Sequence, residues 1–124
     1  MLGDNDMTVH ARLTTITIDC AAPKVLAQFY RDLTGWEITH SDADSAGVGD
    51  GPIQLAFQRI DGYESLRWPE DRAHAHLDLA VADVDAATER LLSLGATKPP
   101  FQPGQEEWTV LLDPEGHPFC IAKA

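Results

Sequence analysis

Two polar residues that could do chemistry lie two positions apart near the middle of the chain, in the stretch His76-Leu-Asp-Leu-Ala-Val81. Successive side chains of a β-strand point to opposite faces, so a strand here puts His76 and Asp78 on one face and Leu77 and Leu79 on the other. An imidazole can act as a general base or a metal ligand, and we expect Asp78 to orient the ring through one water. The alternative is that His76 is a hydrogen-bonded wall residue of a ligand pocket.

The two cysteines, Cys20 and Cys120, stand far apart and form no CxxC pair. This count favours neither a zinc knuckle nor a disulfide framework. Strand alternation places Cys20 on a helix-packing face and Cys120 on the opposite, polar face, so both are predicted to be free thiols. Cys120 is either a small buried apolar residue or a nucleophile, and no neighbour in the sequence supplies the base or cation that a nucleophile needs.

Three tryptophans are unusual for a chain of this size. Trp36 follows the first predicted helix and is expected to pack in the core. Trp68 precedes Pro69 in a polar segment, and Trp108 begins a predicted strand. Their flat apolar rings suit contact with a planar ligand or with a second subunit, and core packing is the alternative.

Length, composition and charge restrict the classes of protein to consider. The 124 residues, with 44% hydrophobic and 23% charged, indicate one globular domain. A net charge of -11 repels phosphate backbones and anionic lipid surfaces, so neither nucleic acid nor a membrane is an expected partner. Residues 1–11 are expected to form a flexible leader without the basic and apolar segments of a secretory signal, which favours a cytoplasmic location.

The first half of the chain is predicted to place a helix between strands. Thr15, Thr17 and Asp19 alternate with apolar residues, and Pro23 and Gly35 suit the first turn and the end of a helix. The predicted elements are a strand over 13–20, a helix over 24–33 with its apolar stripe at Val25, Leu26, Phe29, Tyr30 and Leu33, a strand over 36–40, a polar glycine-rich loop over 41–51, and a strand over 53–60.

The second half repeats this order after a linker over residues 61–73. Asp83 is a good N-cap for the second helix, and Gly95 ends it as Gly35 ends the first, sixty positions earlier. The predicted elements are strands over 76–81, 107–112 and 118–122, a helix over 83–94, and a turn over 113–116 that leaves His117 as a turn or surface residue. The chain is therefore an α+β domain over 12–124, with one module at about 12–60 and another at about 74–124.

Superposing the two halves pairs Thr15 with His76 and Gln54 with Cys120. If the two units bend their sheets toward each other, the faces that do not pack on helices line a common cleft. Its expected lining is Thr15, Thr17, Gln54, Ala56, His76, Asp78, Cys120 and Ala122, with Trp68 and Trp108 at its edge.

These motifs resemble the vicinal oxygen chelate superfamily of glyoxalases, bleomycin-resistance proteins and extradiol dioxygenases. The resemblance is carried by Leu33-Thr-Gly35, His76-Leu-Asp-Leu79, Leu94-Gly-Ala96 and Asp113-Pro-Glu-Gly-His-Pro-Phe-Cys120. It implies two tandem βαβββ modules that form a cupped mixed sheet with helices on the outside. More narrowly, Trp68-Pro69 and the closing segment resemble small glyoxalase-like proteins common in actinobacteria.

In the metal-dependent members of this superfamily, four strands supply histidine, glutamine or glutamate ligands. The matching positions here are Thr15, Gln54, His76 and Cys120, of which only His76 keeps the family's ligand. Neutral Thr and Gln bind hard cations weakly, and Cys with His favours softer ions such as zinc. We therefore expect no resident cofactor, with a divalent metal at His76 as the alternative.

Three functions follow from these expectations. The first is metal-free binding of a small, planar molecule by Thr15, Gln54, His76, Asp78 and Cys120, with Trp68 and Trp108. The second is a glyoxalase-like lyase or isomerase in which His76, helped by Asp78, is the base or the ligand of a non-standard metal site. The third is an interaction module without a ligand. Family members usually pair, so a homodimer is expected.

Overall fold

The computed structural model describes residue 10, residues 12–73 and residues 75–124. The expected leader thus lies outside the described residues, apart from residue 10. Seven strands and two helices are found in the described part of the chain. They are β1 (Thr15–Cys20), α1 (Pro23–Thr34), β2 (Glu37–Ser41), β3 (Ser45–Gly49), β4 (Gln54–Arg59), β5 (Leu77–Val81), α2 (Val84–Ser93), β6 (Thr109–Leu112) and β7 (Pro118–Lys123).

The strands form two mixed sheets, which confirms the predicted α+β class. The first has the order β1-β4-β3-β2, with β1 and β4 parallel, and the second has the order β5-β7-β6, with β5 and β7 parallel. The second sheet has three strands where the resemblance implied four. A single bridge between Thr97 and Leu112 is found in this region, because Pro99 and Pro100 have no backbone N–H to donate to a ladder.

Helix α1 begins and ends as its sequence predicts. Pro23 occupies its first turn, and Gly35 ends it in the left-handed conformation at φ 79°. Leu26, Phe29 and Tyr30 are buried as expected. The prediction for Val25 was wrong: its side chain is 51% exposed, because it lies at the edge of the apolar stripe.

Helix α2 is shorter and less buried. The Asp83 side chain accepts a hydrogen bond from the backbone N–H of Ala86 at 3.0 Å, which confirms Asp83 as the N-cap. Of its residues only Leu91 is fully buried. Within the described residues, no helix is both long and apolar enough to cross a lipid bilayer.

Strand β3 was missed, because the segment 41–51 was predicted to be a loop. Ala46 and Val48 of this strand are completely buried. Its glycines permit close approach: a Cβ atom on Gly49 would lie 2.6 Å from Cγ of Gln54. Glycine has no side chain to pack and therefore weakens a strand. It is tolerated in β3 because neighbouring side chains, such as that of Gln54, occupy the space that a Cβ atom would need.

One hydrophobic core joins the two halves of the chain. On α1, the Tyr30 ring stacks on Phe57 of the first sheet at 5.3 Å, and the Phe29 ring meets Phe119 of the second sheet edge-on at 5.9 Å. Trp36 is half-buried against this core, as expected. Helix α1 therefore ties both sheets together, which sets where their polar faces can point.

Candidate functional site

A recess of about 670 Å³ lies in the second half of the structure. Its size falls within the range of small-molecule pockets. Trp68, His76, Asp78, Trp108 and Cys120 all contribute to its lining. Five of the residues singled out from the sequence are thus brought together by the linker, β5, the segment before β6, and β7.

The polar floor of the recess is formed by the start of β5 and by β7. Asp78 and Cys120 are register partners on these two parallel strands, so their side chains project from the same face. Nε2 of His76 lies 3.2 Å from Oδ1 of Asp78. The prediction that a water would separate them was wrong, because the two side chains converge across the i, i+2 spacing of the strand.

The strand parity expected for this segment is confirmed. His76 and Asp78 are exposed, whereas Leu77, Leu79 and Val81 pack against the core. On β7, Phe119 and Ile121 are fully buried on the opposite side from Cys120. The apolar faces therefore fix the backbone, and the polar face stays available to the recess.

The Cys120 thiol is 9% exposed and is protonated at neutral pH. Burial raises the pKa of this thiol, and the charge and hydrogen bond of Asp78 raise the pKa further. A carboxylate next to a thiol disfavours the thiolate, so the nucleophile interpretation has no support from the geometry. Cys20 is also free and fully buried.

Aromatic rings form the walls of the recess. Trp68 contacts Phe101, with ring centroids 5.7 Å apart and planes tilted by 34°. Trp108 is 39% exposed, and its indole lies against the backbone of Gly104, where a Cβ atom would come within 2.4 Å of Cδ2. The lack of a side chain at Gly104 thereby makes room for the Trp108 ring, a role that the sequence did not reveal.

Thr15 and Gln54 are register partners on β1 and β4 of the other sheet. Thr15 is exposed, and Oε1 of Gln54 accepts a hydrogen bond from the Thr39 hydroxyl at 3.1 Å. Among the described residues, no side chain of the first sheet lines the recess. The common cleft expected from the repeat would have placed Thr15 and Gln54 beside His76, and among the described residues neither of them lines the recess.

A second cavity, of about 600 Å³, is largely apolar in its lining. Ile16 of β1, Trp36, and Leu77 and Leu79 of β5 contribute to it. These side chains also pack on the core, and Asp78 lines both this cavity and the recess. It offers shape but few polar groups that could orient a ligand.

His117 is not the surface residue that its place in a turn indicated. Its Nδ1 lies 2.8 Å from Oδ2 of buried Asp113, and its Nε2 lies 2.8 Å from the backbone oxygen of Asp19 and 2.9 Å from the Tyr63 hydroxyl. Burial lowers the pKa of His117, but the hydrogen bond and charge of Asp113 outweigh burial and raise it overall. Both ring nitrogens face oxygen atoms, an arrangement that favours the protonated ring, and the ring links the closing turn to the end of β1.

The two mixed sheets, the helix that joins them and the recess over β5 and β7 define a small α+β domain. The sequence model of the Glyoxalase-like domain family matches residues 15–122, so the chain belongs to that family. No functionally curated protein matches it. The narrower resemblance to small actinobacterial proteins stays a prediction.

Several solved structures share this fold. A glyoxalase/bleomycin resistance protein/dioxygenase family enzyme from Burkholderia phytofirmans PsJN is 23% identical, with a TM-score of 0.69 over 91% of this chain and 98% of that one. The fosfomycin resistance protein FosX from Mesorhizobium loti is 16% identical, with a TM-score of 0.67 over 94% of each chain. A mutant FosX from Listeria monocytogenes, solved with Mn(II) and 1S,2S-dihydroxypropylphosphonic acid, is 17% identical, with a TM-score of 0.68 over 94% of each chain.

The residues of this chain do not fit the four-strand site for a hard divalent cation, such as manganese, that the metal-dependent relatives have at these positions. Manganese prefers hard oxygen ligands. Thr15 and Gln54 lie on the other sheet, and the Gln54 oxygen already accepts a hydrogen bond. Cys120 supplies sulfur where a hard ion needs oxygen. What the structure does bring together is His76, Asp78 and Cys120, whose ligand atoms all lie within 4.8 Å of one another.

Proposed function

We propose that the protein binds a small, planar molecule in the recess over β5 and β7. The observation that carries this proposal is the combination of two tryptophans, Trp68 and Trp108, with a compact polar floor at His76, Asp78 and Cys120. Aromatic walls provide a large contact area for a flat ligand, and a few polar groups fix its orientation.

Charge narrows the class of ligand. The carboxylates of Asp78 and Glu107 line the recess, and none of its described lining residues is a lysine or an arginine. A phosphonate or carboxylate ligand would be repelled by these carboxylates, whereas a cation would be attracted by the carboxylates and by the indole faces. The proposed ligand is therefore planar and either cationic or neutral.

Binding is favoured over catalysis because the floor of the recess is open to water. The side chain of His76 is 51% exposed and that of Asp78 is 76% exposed. Proton transfer at a carbon next to a carbonyl is helped by a closed, water-excluding site. The His76 and Asp78 contact nevertheless supports the alternative of a glyoxalase-like lyase or isomerase, and a His76→Ala variant with unchanged turnover of a tested substrate would exclude it.

A homodimer is part of this proposal. Strands β1 and β5 are edge strands of their sheets and present unpaired backbone groups. The polar face that carries Thr15 is exposed, and the recess draws its described lining from only one half of the chain. Pairing of two copies would cover both surfaces. Sedimentation equilibrium tests this, and a monomer mass at all concentrations would contradict it.

The ligand proposal is tested with two tricyclic probes of opposite charge. Calorimetry with proflavine, a planar cation, should show binding that 9-anthracenecarboxylate, a planar anion, does not match. Trp68→Ala and Trp108→Ala should each weaken proflavine binding about two- to tenfold, because an aromatic contact contributes about 0.5–1.5 kcal/mol. Trp36→Phe is the matched control, since Trp36 borders the other cavity. Equal affinity in all three variants would contradict the site.

A further inference from the structure

We propose that His76, Asp78 and Cys120 form a binding site for a cation of the zinc class. This site differs in composition from the hard-ion site that the family resemblance implied, because it uses Asp78 and excludes Thr15 and Gln54. It stands independently of the proposed organic ligand, since metal binding can be measured without one.

The spacing of the donor atoms fits a tetrahedral ion. Zinc bonds to nitrogen and oxygen of about 2.0–2.1 Å, at tetrahedral angles, place the two ligand atoms ~3.3 Å apart. Nε2 of His76 and Oδ1 of Asp78 are 3.2 Å apart. The Cys120 sulfur lies within 4.8 Å of one ligand atom of each of the other two residues, and zinc–sulfur bonds, at about 2.3 Å, are longer than bonds to nitrogen or oxygen.

The chemistry of the three donors selects the ion. A thiolate, an imidazole and a carboxylate suit zinc or cobalt, whereas magnesium, calcium and manganese prefer sites built from oxygen alone. The ion would displace the thiol proton of Cys120, which leaves to solvent, and a sulfur–metal bond would form in its place. No oxidation or reduction is involved.

The fold holds these donors without depending on the ion. Asp78 and Cys120 are paired in register on adjacent parallel strands, and His76 directly precedes β5. The side chains that alternate with them, Leu77 and Phe119 among them, are packed in the core. Three protein ligands leave one position of a tetrahedral ion for a water or a ligand atom, which the recess can supply.

Cobalt titration of the untagged full-length chain tests this site directly. A tetrahedral Co²⁺–thiolate centre gives a sulfur-to-metal charge-transfer band in the near ultraviolet and intense visible bands. We expect both bands to saturate at one cobalt per chain, to be displaced by equimolar Zn²⁺, and to persist in excess Mn²⁺. Bands that Mn²⁺ displaces as readily as Zn²⁺ would overturn the assignment.

Matched variants locate the ion. Cys120→Ser should abolish the charge-transfer band, while Cys20→Ser should retain it, because Cys20 is buried in the core away from the recess. Asp78→Asn should weaken cobalt binding by more than the roughly 10–100-fold that loss of an outer-shell partner costs. Asp85→Asn, which removes the same charge from the exposed first turn of α2, should leave binding unchanged. A charge-transfer band that survives in folded Cys120→Ser, or equal affinities in the two aspartate variants, would refute the site.

Discussion

Oε1 of Glu115 lies 2.6 Å from the backbone nitrogen of Ala21, 94 positions earlier in the chain, and Ala21 donates a hydrogen bond to it. Oε2 of the same carboxylate accepts from the N–H of Ala22 at 2.8 Å. Helix α1 has alanine at its N-cap position and no local side-chain cap. A buried carboxylate from the second half of the chain therefore caps the first helix, where negative charge is favoured by the helix dipole.

Replacing Glu115 with glutamine should destabilise the fold. The variant loses a charge-assisted hydrogen bond at a buried helix end, so the free energy of unfolding should fall by about 1.5–3 kcal/mol. Urea unfolding followed by circular dichroism measures this. Glu106→Gln, on an exposed loop, is the control. Equal effects in the two variants would show that Glu115 does not cap α1.

The charged state of His117 should make stability depend on pH. The pKa of this ring is raised in the folded protein above its usual 6.5, so folding is favoured by protonation. Its contribution to the free energy of unfolding is complete below pH 6.5 and is lost as the pH rises through the pKa of the folded state. The amount lost is about 1.4 kcal/mol for each unit by which the folded-state pKa exceeds 6.5. Urea unfolding at pH 6 and pH 9 should show this loss, and His117→Gln should remove most of it. An unchanged pH dependence in the variant would contradict this role.

Tyr30→Phe should destabilise the core without changing its shape. The Tyr30 hydroxyl donates to Oδ2 of buried Asp113 at 2.9 Å. Burial, reinforced by the Asp113 charge, raises the pKa of Tyr30 well above its usual value, so the hydroxyl remains a donor throughout the neutral range. Loss of a hydrogen bond to a charged group should cost about 1.5–3 kcal/mol. Tyr63→Phe is the comparison, and its effect should be smaller because Tyr63 is only half-buried and contacts the ring of His117.

Gly104→Ala should impair the recess more than the fold. The added Cβ would lie 2.4 Å from Cδ2 of Trp108, so the indole must move away from the loop. Because Trp108 is 39% exposed, it can rotate at little cost in stability. We expect weaker proflavine binding, comparable to that of Trp108→Ala, with an unfolding midpoint close to that of the unmodified chain. Glu106→Ala in the same loop is the control, and proflavine affinity equal to that of the control would argue against the role of Gly104.

The features that could be predicted from the sequence are those decided by local periodicity and by residues at helix ends. Alternation in β1 and β5 predicted the correct buried and exposed faces. Pro23, Gly35 and Asp83 marked helix ends, because their backbone and hydrogen-bonding preferences act within a few residues. Strand β3 was missed because its glycines are typical of a loop. In the structure they leave room for the side chains of His40 and Gln54 on the neighbouring strands.

The caps and charges that depend on distant partners could not be predicted in this way. Glu115 and His117 lie in a segment with the composition of a surface turn, yet Glu115 is buried and His117 is nearly so. Nothing near them in the chain indicates that Ala21 or Asp19 would be their partners. Such contacts depend on how the two halves pack, and that packing is a property of the whole core.

By itself, the sequence determined that His76 and Asp78 would share a polar face, because alternation along a strand is fixed by backbone geometry. Only the tertiary structure decided what joins them there. Phe29 and Tyr30 of α1 contact both sheets, and this shared core places the Thr15 and Gln54 face apart from the recess while bringing Trp68 and Trp108 to it. Periodicity sets the side of a strand on which a residue lies, but long-range packing decides which surfaces meet.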